Sequence, residues 1–311
     1  MANKRSKQYL LDAATDIASR SAYEAESIGY IPRFMANASL PTSRQPGNEY
    51  TRQNGRYKLH LLSPNDIGLP YGSYPRQVLI YLTTQAKLTS SSEIKLGSSQ
   101  ASFLKFMGIH SSGGKTGTSA SFKEQFKRLL ACTILWLSSD DASWNVESMR
   151  ISNNAKLVWE PVRLTKWKAY LKLDESFFKD IIENAVPIDL RVIDACSYFP
   201  LAIDVYCWLT YRYYQMSAIQ MITWEQLANQ FGNNYSRKVN FKNQFIKALE
   251  QISLLYPAAK FSTTEVGVLL YPSQPHIPVK ISKKLLMSVD NSVNNQCYPR
   301  IKGDGFVHKR W

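Results

Sequence analysis

The stretches SFKEQFKRLLACTILWL (residues 121–137) and NFKNQFIKALEQISLLY (residues 240–256) align without a gap, so this chain builds one kind of unit twice. Phe122 falls on Phe241, Lys123 on Lys242, Gln125 on Gln244, Phe126 on Phe245 and Leu130 on Leu249. In each copy the aromatic pair and the leucine recur at i, i+4 and i+8. One stripe therefore faces a core, and the lysines lie off it. Both stretches read as amphipathic helices running into a strand.

The repeat extends in both directions. Upstream, YPRQVLIYLTTQAK (74–87) matches FPLAIDVYCWLTYRY (199–213): an aromatic-proline start, tolerated in a first helical turn, and then a strongly apolar helix. Between these helices SQASFLKFMG (99–108) parallels ITWEQLANQFG (222–232), each a short helix closed by a glycine suited to the left-handed cap conformation. Thr223 with Gln226 three residues on has the pattern of a capping box. Downstream, residues 133–151 and 260–271 each hold two apolar runs split by a polar turn, which is the pattern of a β-hairpin. Helix, helix, helix, hairpin is the order of a winged-helix module, whose third helix enters the DNA major groove. The expected fold class is α+β, with two tandem winged-helix domains joined by short β-strands. Three-helix units with hairpins also serve as protein-interaction modules, so the order alone does not fix the partner.

The first copy carries a distraction. GIHSSGGKTGTS (108–119) resembles a phosphate-binding P-loop, but with Lys115 and Thr116 in place the first glycine should stand at position 109, which is Ile109. The preceding segment has the apolar spacing of a helix face, whereas a P-loop follows a strand. Gly108 to Phe122 is five residues longer than Gly232 to Phe241, and the loop is read as that insertion.

A net charge of +14 at a pI near 9.5 attracts polyanions, and nucleic acid is the first partner to consider. No run of apolar residues is long enough to span a bilayer, and Asp12 and Asp16 interrupt the only apolar stretch near the N-terminus. A cytoplasmic protein is expected. Cys132, Cys196, Cys207 and Cys297 form no C-x-x-C pair, and three of them lie in apolar segments, as buried reduced thiols do. The histidines are scattered, with no metal-ligand set and no His-x-His pair of a DNA-nicking enzyme. No cofactor and no catalytic activity are expected.

The charges fall on the third helices. In the second copy, Phe241, Phe245, Ala248, Leu249 and Ile252 form the buried stripe. This leaves Ser236, Arg237, Lys238, Asn240, Lys242, Asn243 and Lys247 on or beside the exposed face. Arginine pairs with guanine, asparagine with adenine, and lysine serves phosphates. Arg237 and Asn240, near the helix start, are the expected base contacts, and Lys260 in the wing is an expected phosphate contact. The first copy offers Lys115, Thr116, Thr118, Ser119, Ser121, Lys123 and Lys127, with Arg128 beside them. These types suit phosphates more than base discrimination, so the first domain is expected to position and the second to specify.

The strings YIPRFMANASLP (30–41), GNEYTRQNGRYKLHLLSPNDIGLPYGSYPR (47–76), PLAIDVYCWLTYR (200–212) and ITWEQLANQFG (222–232) resemble the RepA-type plasmid replication initiators, a family related to the TrfA initiators. The resemblance runs from about Gly29 to about Pro275. It implies tandem winged-helix domains that bind repeated origin sequences (iterons) in double-stranded DNA, promote opening of adjacent AT-rich DNA, and recruit the host initiator and replicative helicase. It also implies a homodimer as an inhibitory form. The division expected is an N-terminal helical or flexible segment (1–28), a first winged-helix domain (29–160), a second (161–277) and a basic tail (278–311). GRYKLHLLSP (55–64) reads as a strand, residues 155–161 and 167–174 as strands of a sheet linking the domains, and residues 174–190 as a helix opening the second module. A winged-helix transcriptional regulator is the main alternative function, and a protein-interaction module without a DNA target is the other.

Overall fold

The computed structural model describes residues 2–97, 103–104, 107, 117–139, 144–156, 170–232 and 238–278. The fold is α+β. It begins with α1 (Ala2–Ser19), β1 (Ile28–Ile31), α2 (Arg33–Asn37), β2 (Glu49–Asn54), β3 (Tyr57–Leu62), α3 (Ser73–Thr89) and β4 (Glu93–Lys95). It continues through α4 (Thr118–Ala131), β5 (Thr133–Ser139), β6 (Trp144–Arg150), β7 (Ser152–Lys156) and β8 (Tyr170–Leu173). The second half holds α5 (Glu175–Asn184), β9 (Val186–Asp189), α6 (Leu190–Ala195), α7 (Pro200–Gln215), β10 (Gln220–Thr223), α8 (Trp224–Phe231), α9 (Lys238–Leu255), β11 (Phe261–Thr263) and β12 (Gly267–Leu270).

Local sequence explains several helix ends. Pro200 opens α7, where its missing N–H costs nothing. Asp174 caps α5 by accepting from the backbone N–H of Ser176 at 3.0 Å and of Phe177 at 3.4 Å. The capping box is formed: Thr223 accepts from the Gln226 N–H at 3.2 Å, and the Gln226 side chain accepts from the Thr223 N–H at 2.9 Å. Gly232 closes α8 with φ −98°, not in the left-handed region expected for it. Glycine is needed there for room, because a Cβ would meet the Ala228 carbonyl oxygen at 2.9 Å.

The repeat is visible in the packing. The Phe122 and Phe126 rings lie 5.8 Å apart at 50°, and the aligned Phe241 and Phe245 rings 5.5 Å apart at 50°. Phe103 packs on the first pair and Phe231 on Phe245. Of the short helix expected over 99–108, Phe103 and Leu104 are helical and buried; Gly108 lies outside the described residues. The aligned blocks then part company. After Cys132 the buried residues alternate, Ile134 then Trp136, and form a strand. In the second copy Ile252, Leu255 and Tyr256 are buried at helical spacing, and α9 runs on to Leu255.

Sheet pairing corrects two expectations. In the second copy β10, β12 and β11 form one antiparallel sheet, as in a winged-helix module. In the first copy the place of that sheet is taken by β4, β8 and β7, not by the hairpin of residues 133–151. That hairpin, β5–β6, pairs with β3 in the sheet β2-β3-β5-β6. The strands at 152–156 and 170–173 thus complete the first copy and do not link the two. The boundary expected between residues 160 and 161 lies outside the described residues, between these two paired strands in the chain. Periodicity marks a strand but not its partner, which is why the hairpins were exchanged.

The copies are joined by β1 and β9, which pair antiparallel with Ile28 opposite Asp189 and Ile31 opposite Val186. The helix expected over 174–190 therefore ends at Asn184 and gives way to this strand. Each strand is followed by a short helix, α2 or α6, so equivalent elements meet about a local two-fold. One buried core runs through both copies. The N-terminal segment is helical and docked: Arg191 reaches Asp16 at 3.0 Å, and the Tyr9 hydroxyl donates to Asp194 at 2.6 Å. Cys132, Cys196 and Cys207 are buried free thiols, and burial pushes the first two up to about 12. Cys297 and the tail from residue 279 lie outside the described residues.

Candidate nucleic-acid interface

The third helix of the second copy has the buried stripe expected of it. Phe241, Phe245, Ala248, Leu249 and Ile252 are all buried. Asn240, Asn243 and Lys247 are exposed at spacings of three and four, so they form one outward stripe. The first turn of α9 carries no acidic residue. Lys238 begins the helix, while Ser236 and Arg237 lie outside the described residues. Asn240 is thus the base-contact candidate the structure places, in the first turn.

Two of the lysines are tied to the scaffold. Lys242 is half-buried, with its ammonium 5.0 Å from the centre of the Trp224 ring, and Lys247 lies 6.0 Å from that of Phe199. Trp224 also donates its backbone N–H to Val266 and its indole N–H to Thr264. One aromatic side chain thereby links α9 to the turn of the hairpin. Lys260 is exposed but sits at the root of that hairpin, where its N–H donates to Ser273 and its carbonyl accepts from Tyr213. The tip carries Glu265 and Val266, both exposed.

In the first copy Thr118, Ser121 and Lys127 are exposed on α4, and Ser119 and Lys123 are half-exposed. Lys115 and Thr116 lie outside the described residues. Gly117 caps α4 without a side-chain hydrogen bond. Glu124 shares the outer face and pairs with Arg128 at 2.9 Å. Arg128 is further fixed by the Leu69 carbonyl at 3.3 Å and lies over the Tyr71 ring. On this face Arg128 is therefore held by Glu124 and Leu69, while Lys127 is exposed.

Sequence reasoning missed Lys95 and Lys172, which point outward from the sheet β4-β8-β7. Their alternation with Ile94 and Leu171 is the signal that could have found them. It also missed contacts from the first copy onto α8. Ser39 Oγ donates to the Gln230 carbonyl at 3.0 Å, Gln230 Nε2 donates to the Asn37 carbonyl at 2.8 Å, and Arg52 Nη1 reaches the Asn229 carbonyl at 3.5 Å. No sequence signal announces these, because they join residues far apart in the chain.

No described helix is long and apolar enough to cross a membrane. Among the described residues no group of three or more His, Cys, Asp or Glu side chains could hold a metal ion.

Paired copies of a helical module with an added hairpin, in a chain of this charge, define a class of replication initiator once the family match is added. Residues 69–226, just over half of the 311, match the family described as "Plasmid encoded RepA protein", and the chain belongs to that family. The match is narrower than the resemblance read from Gly29 to Pro275. Two solved structures of domains 2 and 3 of RctB are similar to the chain. One, of selenomethionine derivatives, has 11% identity, a TM-score of 0.48 and coverage of 82% of this chain and 99% of that one. The other has 14% identity, a TM-score of 0.43 and coverage of 76% and 94%. Among curated proteins there is no match.

Proposed function

We propose that this plasmid replication initiator is a non-enzymatic, cytoplasmic protein that binds double-stranded direct repeats at its origin, with α9 reading bases and α4 positioning the duplex. The observation that carries this reading is the exposed stripe Asn240, Asn243 and Lys247 on a helix with no acid in its first turn. Asparagine and lysine are respectively base-reading and phosphate-binding types, and the chain's charge of +14 supplies the long-range attraction. Ser236, Arg237, Lys238 and Lys242 flank the stripe, and Lys115, Thr116, Thr118, Ser119, Ser121, Lys123 and Lys127 supply contacts from the first copy, with Lys260 at the hairpin root of the second. The first module runs from residue 29 to Leu173, and the second from Asp174 to Ile277. Opening of neighbouring AT-rich DNA, recruitment of the host initiator and replicative helicase, and an inhibitory homodimer belong to the same proposal.

Footprinting on the DNA beside the gene tests it. Protection of tandem repeats next to an AT-rich stretch is expected. Protection of a single promoter palindrome would make the protein a transcriptional regulator, and no protection at all would leave a protein-interaction module.

A further inference from the structure

The end of α8 is finished by residues that do not belong to its own module. A helix leaves its last carbonyls without intrahelical donors, and local caps usually satisfy them. Here the Gly232 N–H serves Ala228, while the next two carbonyls, of Asn229 and Gln230, are served by Arg52 and Ser39. Ser39 and Gln230 are both about 1% exposed. These are internal contacts of an ordered joint, not surface encounters.

Arg52 is an expensive residue to bury. It is 4% exposed, and its Nε donates to the Tyr50 hydroxyl at 2.7 Å. Its second terminal nitrogen has no hydrogen-bond partner among the described residues. The buried carboxylate within its electrostatic reach is Asp204, and that carboxylate already makes two hydrogen bonds to Arg76. Two buried guanidinium groups thus share one buried carboxylate, an arrangement that an apolar side chain would avoid. What the charge gains is the C-terminal end of α8, where the helix dipole and the free carbonyls favour a cation.

We propose that Arg52, with Ser39, is a positioning residue for the second module's recognition helix: from the first copy it fixes the C-terminal end of α8 and thereby the pose of α9. The helix-turn-helix of one module is then completed by a strand of the other. Sequence reading by α9 depends on the first copy even where the first copy contacts no base.

The inference rests on the DNA-binding reading, and the test separates the two. Full-length Arg52→Ala, Arg52→Lys and Ser39→Ala proteins are titrated onto a duplex carrying the footprinted repeat and onto a scrambled duplex. Amide hydrogen exchange is followed across residues 229–249, and thermal melting checks the fold. For Arg52→Ala the affinity for the repeat is expected to fall about tenfold, with the scrambled duplex bound within about twofold of wild type. Exchange across residues 229–249 should quicken, and Arg52→Lys should recover most of both effects. Unchanged repeat affinity with unchanged exchange overturns the proposal, and so does an equal loss on both duplexes. If Arg52→Ala does not melt cooperatively, Ser39→Ala decides by the same two readouts. A wild-type protein that does not distinguish repeat from scrambled DNA rejects the DNA-binding reading, while the exchange measurement still decides the clamp.

Discussion

Nε and Nη2 of Arg76 lie 2.7 and 2.6 Å from the two carboxylate oxygens of Asp204, joining α3 of the first copy to α7 of the second through a fully buried ion pair. The remaining guanidinium donors go to the carbonyls of Leu40, Pro41 and Gly72. Every group of the pair is therefore satisfied. Removing one partner would strand the other, so Asp204→Ala should cost on the order of 3–5 kcal/mol in urea unfolding. The double variant Arg76→Met with Asp204→Leu should cost less than the sum of the two single changes.

The recognition stripe predicts two distinguishable losses. Asn240→Ala should weaken binding to the cognate repeat by about 1–3 kcal/mol and relax preference for it, whereas Lys247→Ala should weaken all duplexes and flatten the salt dependence by about one unit. A salt series on both variants checks this. Wild-type affinity in both would reject the assignment of α9.

The capping box offers a local probe. Thr223→Ala removes the acceptor for the Gln226 N–H and should lower stability by roughly 0.5–2 kcal/mol in chemical denaturation. Gly267→Ala should do more to the wing, because its Cβ would lie 2.1 Å from the Ile222 carbonyl oxygen, a backbone atom that cannot step aside. Limited proteolysis across residues 260–271 should report the loosened hairpin.

His276 gives the pH dependence a sign. Its ring stacks on Tyr256 at 4.4 Å, and its Nδ1 shares a hydrogen bond with the Tyr206 hydroxyl at 2.8 Å. Burial, opposed by Asp189 and aided by Arg191, brings it down from 6.5 to about 4. The unfolded chain therefore takes up a proton that the folded one refuses. The stability due to the neutral ring is complete above about pH 6.5 and is lost as pH falls toward 4. Urea midpoints should drop from pH 6.5 to 5, and the drop should shrink in His276→Asn; equal drops in both proteins would reject the assignment.

What could be read from the chain alone was whatever repeats or is local. The pairs Phe122–Phe126 and Phe241–Phe245, the Thr223–Gln226 box and the Asp174 cap all depend on residues a few positions apart. Strand partners do not. Residues 133–151 have the pattern of a hairpin in either sheet, and only the company of Leu59 and Leu61 on β3 decides which. The short β1 and β9 strands carry too few residues to show a period. No local pattern marks Arg52, whose burial follows from packing against a helix 177 positions away. Of the candidate interface, the stripe on α9 was legible because burial and exposure alternate with the helical period; the fixing of Arg128 on α4 was not, because it comes in part from the distant Leu69 carbonyl.

The two hairpins that the first copy has and the second lacks, β2–β3 and β5–β6, lie side by side in one sheet, with β3 against β5. Each covers a row of backbone amides and carbonyls that the other would present bare. Without β2 and β3, the β5 edge that β3 now covers would be open to foreign chains. A truncated protein missing residues 49–62 should therefore be prone to aggregate through β5 rather than simply be smaller.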